Sequence, residues 1–416
     1  MSAIRNGIKR HKIGLACFAF LVLYEWLYVN NGALWSVNPV TYSLYVMDYS
    51  MGFCSRILPG AVYGALIGKY AYRPISAFVT VFFLLLLAAI AYFMERFFTA
   101  AGPGDRKTCL ALMFFFLSGP FTFGILTREF GMLDLYWLLF FAAALLLLPK
   151  KRLKWLLPLC IVGMIFVHFA ALFCYAAVLL ALLLFFAAKA TDKKEKKQYY
   201  LLFGLCFVIT VGLSGYFIQF ESENAVYPVE EFNEILRSRG VAFPEYLDST
   251  LYRMTDSSIA SPTRDIERYS VDPSSTGILR FVQWILYYAW GAVAFSQQYV
   301  RLWFLFLLEI PLAALLIYLL LGYLRKEKGN REKRLPVIFM LLLFFGTSVV
   351  GFLFSTDNFR WMAHAVIGLF ICTFAVIYYD WREGFRKARN VFRRIGVPPL
   401  ALYGLVYALT SMDPYS

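Results

Sequence analysis

Residues 155–188, between Lys154 and Lys189, form a run of 34 positions with no Asp, Glu, Lys or Arg. As one helix, at about 1.5 Å per residue, the run would be roughly 50 Å long, well beyond a hydrocarbon core of roughly 30 Å. Both flanks are basic: Lys150, Lys151, Arg152 and Lys154 precede it, and Lys189, Lys193, Lys194, Lys196 and Lys197 follow. Basic connections mark the cytoplasmic side of a membrane protein. A single crossing would put one flank outside. The run therefore has to leave and return, as a tight hairpin of two spans that turns near His168.

This hairpin sets the class for the rest of the chain. Apolar runs of roughly 18 residues or more recur along all 416 positions. Charged residues make up 16% of the sequence, where a soluble globular chain carries about 25%. The fold class read from this pattern is all-α, a polytopic transmembrane bundle of about eleven spans forming one integral membrane domain over 1–416. The spans are predicted at about 13–30, 74–94, 108–126, 135–149, two within 155–188, 199–219, 302–322, 335–354, 361–379 and 396–411. The first run ends in Tyr28, Val29 and Asn30, with no small-residue cleavage site, so it reads as a retained span.

The net charge of +14 invites a nucleic-acid reading. Its distribution argues against one, because the basic residues sit in short clusters between spans. They place the N-terminus in the cytoplasm and, with an odd number of spans, the C-terminus outside. The pattern suits a bacterial plasma membrane. The seven cysteines include no CxxC pair and no Cys/His ligand spacing, so neither a disulfide framework nor a zinc site is expected.

Two outer connections are long. Residues 31–73 hold a short apolar piece, 57–67, read as a helix lying at the interface. Residues 221–300 form the larger loop. Its first part, 221–276, carries eleven carboxylates and five arginines but no lysine. Within it 229–240 reads as an amphipathic helix, with acids leading, arginines trailing and Gly240 as the stop. A second aromatic-rich piece, 281–295, is too short to be a clear span.

With this topology, polar residues from separate connections reach one surface. Asp48 and Arg56 lie in the first loop, Arg128, Glu129 and Asp134 in a short second one. His168 lies in the hairpin turn, and Asp357, Arg360 and His364 at the start of the span near 361–379. Structural roles compete at each position. Asp48 and Arg56 are equally readable as an ion pair pinning their loop. Asp134 suits the N-terminus of a helix. His168 reads as a hydrogen-bonder in a turn. Asp357, Arg360 and His364, at i, i+3 and i+7, share one helix face, and His364 sits deeper, where a polar group is costly.

Arginines at a membrane surface suit phosphate, which the planar guanidinium binds in pairs of hydrogen bonds. A nearby carboxylate suits proton removal from a hydroxyl. Aromatic neighbours suit a sugar face or an isoprenoid chain. Together these describe glycosyl transfer from a polyprenyl-phosphate sugar. No P-loop, HExxH or Ser/His/Asp motif is present.

The layout resembles the GT-C class of membrane glycosyltransferases. Asp48 matches by position the first-loop aspartate of that class, and Glu129 or Asp134, in TREFGMLD, the acidic residue of its short second loop. Arg360, in TDNFRW, is similar to the arginine that such enzymes place near the lipid phosphate. The first loop here has one aspartate where the class often has an acidic pair. The resemblance implies an inverting hexosyl or pentosyl transferase at the extracytoplasmic face, working in cell-envelope glycan assembly. Its catalytic residues would be Asp48, Asp134 and Glu129. The lipid phosphate or sugar would be bound by Arg56, Arg128, His168, Asp357, Arg360 and His364. The partners implied are a polyprenyl-phosphate sugar donor, a glycan, lipid or protein acceptor and the bilayer, with no nucleic acid. No cofactor or metal is expected, with a divalent cation left open. Two other readings stand beside it. One is an O-antigen-type polysaccharide polymerase, for which paired arginines in the large loop (Arg237 and Arg239, or Arg264 and Arg268) are the candidates. The other is a non-enzymatic lipid or glycan transporter.

Overall fold

The computed structural model describes residues 11–24, 37, 39–122, 130–220, 229–240, 297–354 and 358–412. Among them the chain is helical throughout and contains no β-strand. We number the principal helices α1 (Lys12–Tyr24), α2 (Leu58–Leu66), α3 (Tyr72–Ala100), α4 (Arg106–Ser118), α5 (Leu133–Leu147), α6 (Leu157–Val167) and α7 (Tyr175–Lys189). After them come α8 (Lys193–Phe220), α9 (Val229–Ser238), α10 (Gln297–Lys326), α11 (Arg331–Phe354), α12 (Asn358–Tyr379), α13 (Glu383–Ile395) and α14 (Val397–Met412). Among the described residues five stretches are long and apolar enough to cross a membrane: Tyr72–Ala100, Phe169–Lys189, Lys193–Phe220, Phe304–Lys326 and Arg360–Tyr379.

The uncharged run does fold as a hairpin. α6 ends at Val167, His168 takes an extended conformation, and a 3-10 turn over Phe169–Phe173 leads into α7. α7 is the centre of the bundle. Almost every residue from Tyr175 to Ala187 is buried, because α5, α8, α11 and α12 pack around it. A helix apolar on all faces needs such a ring of neighbours. Outer helices show the opposite pattern: Leu201, Leu205 and Val208 of α8 and Leu402 and Leu405 of α14 are exposed, as side chains that meet lipid would be.

Two departures from the sequence reading stand out. α4 stops at Ser118, short of the predicted 126. Pro120 follows, and the residue before a proline is driven out of helical space; Gly119 is extended accordingly. The basic stretch 382–394, read as an inner connection, is itself the amphipathic helix α13, with Phe385 and Ala388 buried and Arg393 and Arg394 in its last turn. The short helix α2 does form at 58–66, packed so closely on the first loop that a Cβ on Gly60 would lie 2.2 Å from the Met47 carbonyl oxygen. The piece at 281–295 lies outside the described residues.

Ion pairs sort the connections onto two opposite ends. At one end Arg389 pairs with Asp105 (2.9 Å), Lys333 with Asp380 (3.1 Å) and Lys196 with Glu332 (2.5 Å). There too the Tyr199 hydroxyl donates to the Leu148 carbonyl (3.1 Å), beneath the Lys154 ammonium. These are the connections that the charge rule assigns to the cytoplasm. The candidate site residues lie at the other end.

Candidate functional site

α5 opens with Asp134 in its first turn, and the carboxylate is buried, with 1% of the residue exposed. It accepts a hydrogen bond from its own backbone N–H and is turned toward α12. Oδ2 stands 2.8 Å from Nη2 of Arg360, and Oδ1 stands 2.8 Å from Nε2 of His364. Arg360 and His364 are four residues apart, so one helical face presents both. The other ring nitrogen of His364 lies 2.9 Å from the Tyr175 hydroxyl, on α7. A chain of contacts thus runs Arg360–Asp134–His364–Tyr175 across three helices. A charge so buried is tolerable only when it is paired in this way.

Trp137, one turn after Asp134, closes the floor. Its indole N–H donates to the Met164 carbonyl (2.9 Å), and its ring lies between His168 and His364, at centroid distances of 5.6 and 5.3 Å. His168 accepts a hydrogen bond from Ala170 N–H at Nδ1 (3.3 Å), which leaves its proton on Nε2 when the ring is neutral. Burial, together with the cations of Arg56 and Arg360, outweighs Asp134 and holds His168 well below its ordinary pKa. The ring is therefore neutral at pH 7.

The first loop is fastened to this floor at two points. Tyr45 is fully buried, with its hydroxyl 2.9 Å from that of Tyr136 and donating to the Gly131 carbonyl at 2.5 Å. Gly131 has φ +85°, and a Cβ there would press on Val79 and Thr41, so only glycine suits this corner. At the second point Arg56 donates its backbone N–H to the Phe166 carbonyl (3.1 Å), with φ +74°. A positive φ at a non-glycine residue is strained and is held by its surroundings.

Asp48 sits between these points. Its Oδ1 accepts from the backbone N–H (2.9 Å) and hydroxyl (2.5 Å) of Ser50. Its Oδ2 lies 3.0 Å from Nη2 of Arg239, just past α9, while Nη1 of Arg239 donates to the Val46 carbonyl (2.8 Å). Partial burial raises the Asp48 pKa, but the Ser50 hydrogen bonds and the Arg239 charge outweigh it and hold the carboxyl below its ordinary value. Asp48 is thus ion-paired with Arg239 and not with Arg56, the partner that sequence proximity suggested. Beside it Tyr49, Phe53, Phe166, Tyr216 and Phe217 form an aromatic patch. Phe53 stacks on Phe217 at 5.6 Å and is 44% exposed.

Of the residues singled out in the sequence, Asp134, His168, Arg360 and His364 come together, with Arg56 near enough to act electrostatically on His168. Asp48 faces Arg239. Arg128, Glu129 and Asp357 lie outside the described residues. Sequence reading missed Trp137 and Tyr175. The spacing of Trp137 from Asp134 was a usable signal, as was the position of Tyr175 just past the hairpin turn. Among the described residues no group of three or more His, Cys, Asp or Glu is arranged to hold a metal ion. Comparison with protein families, with curated proteins and with solved structures finds no match for this chain.

Proposed function

We propose that the protein is a membrane glycosyltransferase that moves a sugar from a polyprenyl-phosphate donor to an acceptor at the extracytoplasmic face, on a bundle of about eleven crossings like that of the GT-C class. What carries the reading is one arrangement. The loop with Asp48 and Arg56 is fastened both to the helix start that bears Asp134 and to the turn that bears His168, through Tyr45–Tyr136 and Arg56–Phe166. Two arginines, a neutral imidazole and a carboxylate from separate elements are thereby held at one membrane surface, beside an aromatic patch.

In this reading Arg56 and Arg360 receive the lipid phosphate, and the His168 Nε2–H donates to one of its oxygens. The leaving phosphate gains charge as the glycosidic bond breaks, and fixed cations stabilise that charge in the transition state. Asp134 orients Arg360 and His364 and does not take the acceptor proton, since its oxygens are engaged by two donors. Asp48 is the base. A depressed pKa makes it a weak one while Arg239 is bound, so Arg239 must leave as the acceptor hydroxyl arrives. Tyr49 and Phe53 offer faces for sugar or isoprenoid.

The Arg239–Asp48 contact also favours a second reading. An arginine of the long outer loop at the candidate base suits a polymerase that adds to a growing polyprenyl-linked glycan. One experiment separates the two and tests both. Purified protein in vesicles is given labelled polyprenyl-phosphate hexoses and pentoses on the external leaflet. A single-sugar product supports the transferase, and a ladder of products supports the polymerase. No product from any donor, with the protein folded, contradicts both.

A further inference from the structure

Below the site lies a cavity of about 480 Å³ that the proposed reaction does not use. Its walls come from α3, α4, α5, α7 and α12, and most of its lining is Leu, Ile, Ala and Phe. Along α3 it runs from Leu86 to Phe97, roughly 16 Å at about 1.5 Å per residue, which is about half of a hydrocarbon core of roughly 30 Å. It is therefore as deep as a single leaflet.

The two ends differ. At the deep end the lining stops at Leu138 and Ile367, one turn short of Asp134 and His364, neither of which lines it. The polar group there, the Thr122 hydroxyl, is already spent on the Phe116 carbonyl. The other end has Arg96, Lys150, Tyr378 and Tyr379. Arg96 and Lys150 are exposed, and Arg96 hydrogen-bonds the Tyr378 hydroxyl. The Lys189 ammonium lies 5.4 Å over the Tyr379 ring. Among the described residues no carboxylate lines the cavity. The slot also opens sideways, where Tyr92, Leu146 and Leu153 are exposed.

We propose that this slot binds one acyl chain of an anionic phospholipid from the leaflet that the charge rule assigns to the cytoplasm, with the phosphate against Arg96 and Lys150. Charge and depth choose the occupant together. An apolar slot one leaflet deep accepts a chain, and a basic rim without a carboxylate favours an anionic over a zwitterionic headgroup. The closed deep end excludes a lipid whose phosphate sits at the Asp134 end. The site is separate from the donor site and holds whatever reaction the protein performs.

The test uses the full chain in nanodiscs of equimolar phosphatidylglycerol and phosphatidylcholine, released into mild detergent and weighed by native mass spectrometry. The expected result is one retained phosphatidylglycerol, enriched about tenfold over phosphatidylcholine, the equivalent of one charge-assisted contact. Arg96→Gln with Lys150→Gln brings the ratio to near parity. Leu146→Trp, at the exposed side of the slot, lowers retention of both lipids, and the protein still elutes as a single species. Equal retention of the two lipids by the unaltered protein overturns the proposal. So does enrichment that survives the double substitution, retention that survives Leu146→Trp, or a retained lipid with the mass of a polyprenyl phosphate.

Discussion

Oδ2 of Asp48 lies 3.0 Å from Nη2 of Arg239, so the carboxylate of the first long connection is covered by an arginine from the second. The same guanidinium bonds the Val46 carbonyl and lies over the Tyr70 ring. Arg239 therefore ties α9 to the first loop and at the same time occupies the candidate base.

Arg239→Gln should release that tie at little cost to the fold. Partly exposed ion pairs contribute about 0–1 kcal/mol, so the melting temperature should move by no more than a few degrees. Amide exchange at residues 47–52 should rise. Unchanged exchange there would mean that Arg239 does not hold the loop.

The tie should also depend on pH in a definite direction. The carboxyl of Asp48 is held below its ordinary value, so its contribution is fully present above the unfolded value, about 3.9, and is lost as the pH falls through the lower folded value. Exchange at 47–52 should be flat, after correction for intrinsic rates, from neutral pH down to about 5, and should rise only below about 4. Asp48→Asn should remove the rise. A rise centred near neutral pH would point to a histidine instead.

The buried pair behaves differently from the exposed one. Asp134→Ala leaves Arg360 and His364 facing each other in a closed site and should destabilise the protein by about 3–5 kcal/mol. Tyr175→Phe removes only the hydroxyl at His364 and should cost about 1 kcal/mol. Thermal unfolding in nanodiscs measures both. Equal losses in the two variants would contradict the chain of contacts described here.

The aromatic patch should act in binding. Phe53→Ala removes an exposed ring stacked on Phe217. Steady-state transfer kinetics should show a KM for the lipid donor raised about tenfold with kcat nearly unchanged, the signature of binding lost equally in the ground and transition states. A fall in kcat at constant KM would place the ring at the reacting centre.

The helices were legible because hydrophobic run length and basic flanks report directly on crossing. The 155–188 hairpin, its turn at His168, the short helix at 58–66 and the shared end of Asp134, His168, Arg360 and His364 all follow from that logic. The pairing of charges was not legible. Asp48 was set beside Arg56 because they are close in sequence, but the Arg56 backbone is turned to positive φ and bonded to Phe166, and Asp48 meets Arg239 from across the fold. Tyr175 and Trp137 were hidden for a related reason. In an apolar run an aromatic residue reads as lipid-facing or core, and only the packing of α5, α7 and α12 reveals that these two touch His364.

The central claim is that Asp48 takes the acceptor proton at a site where arginines hold the donor phosphate. The most direct measurement is single-turnover sugar transfer by Asp48→Asn and by Arg239→Gln, each purified and reconstituted with the same labelled polyprenyl-phosphate donor. Asp48→Asn should lose at least about 100-fold in rate with donor binding retained, as expected for removal of a general base. Arg239→Gln, which uncovers the carboxylate, should keep transfer. Transfer by Asp48→Asn at the rate of the unaltered protein would contradict the account.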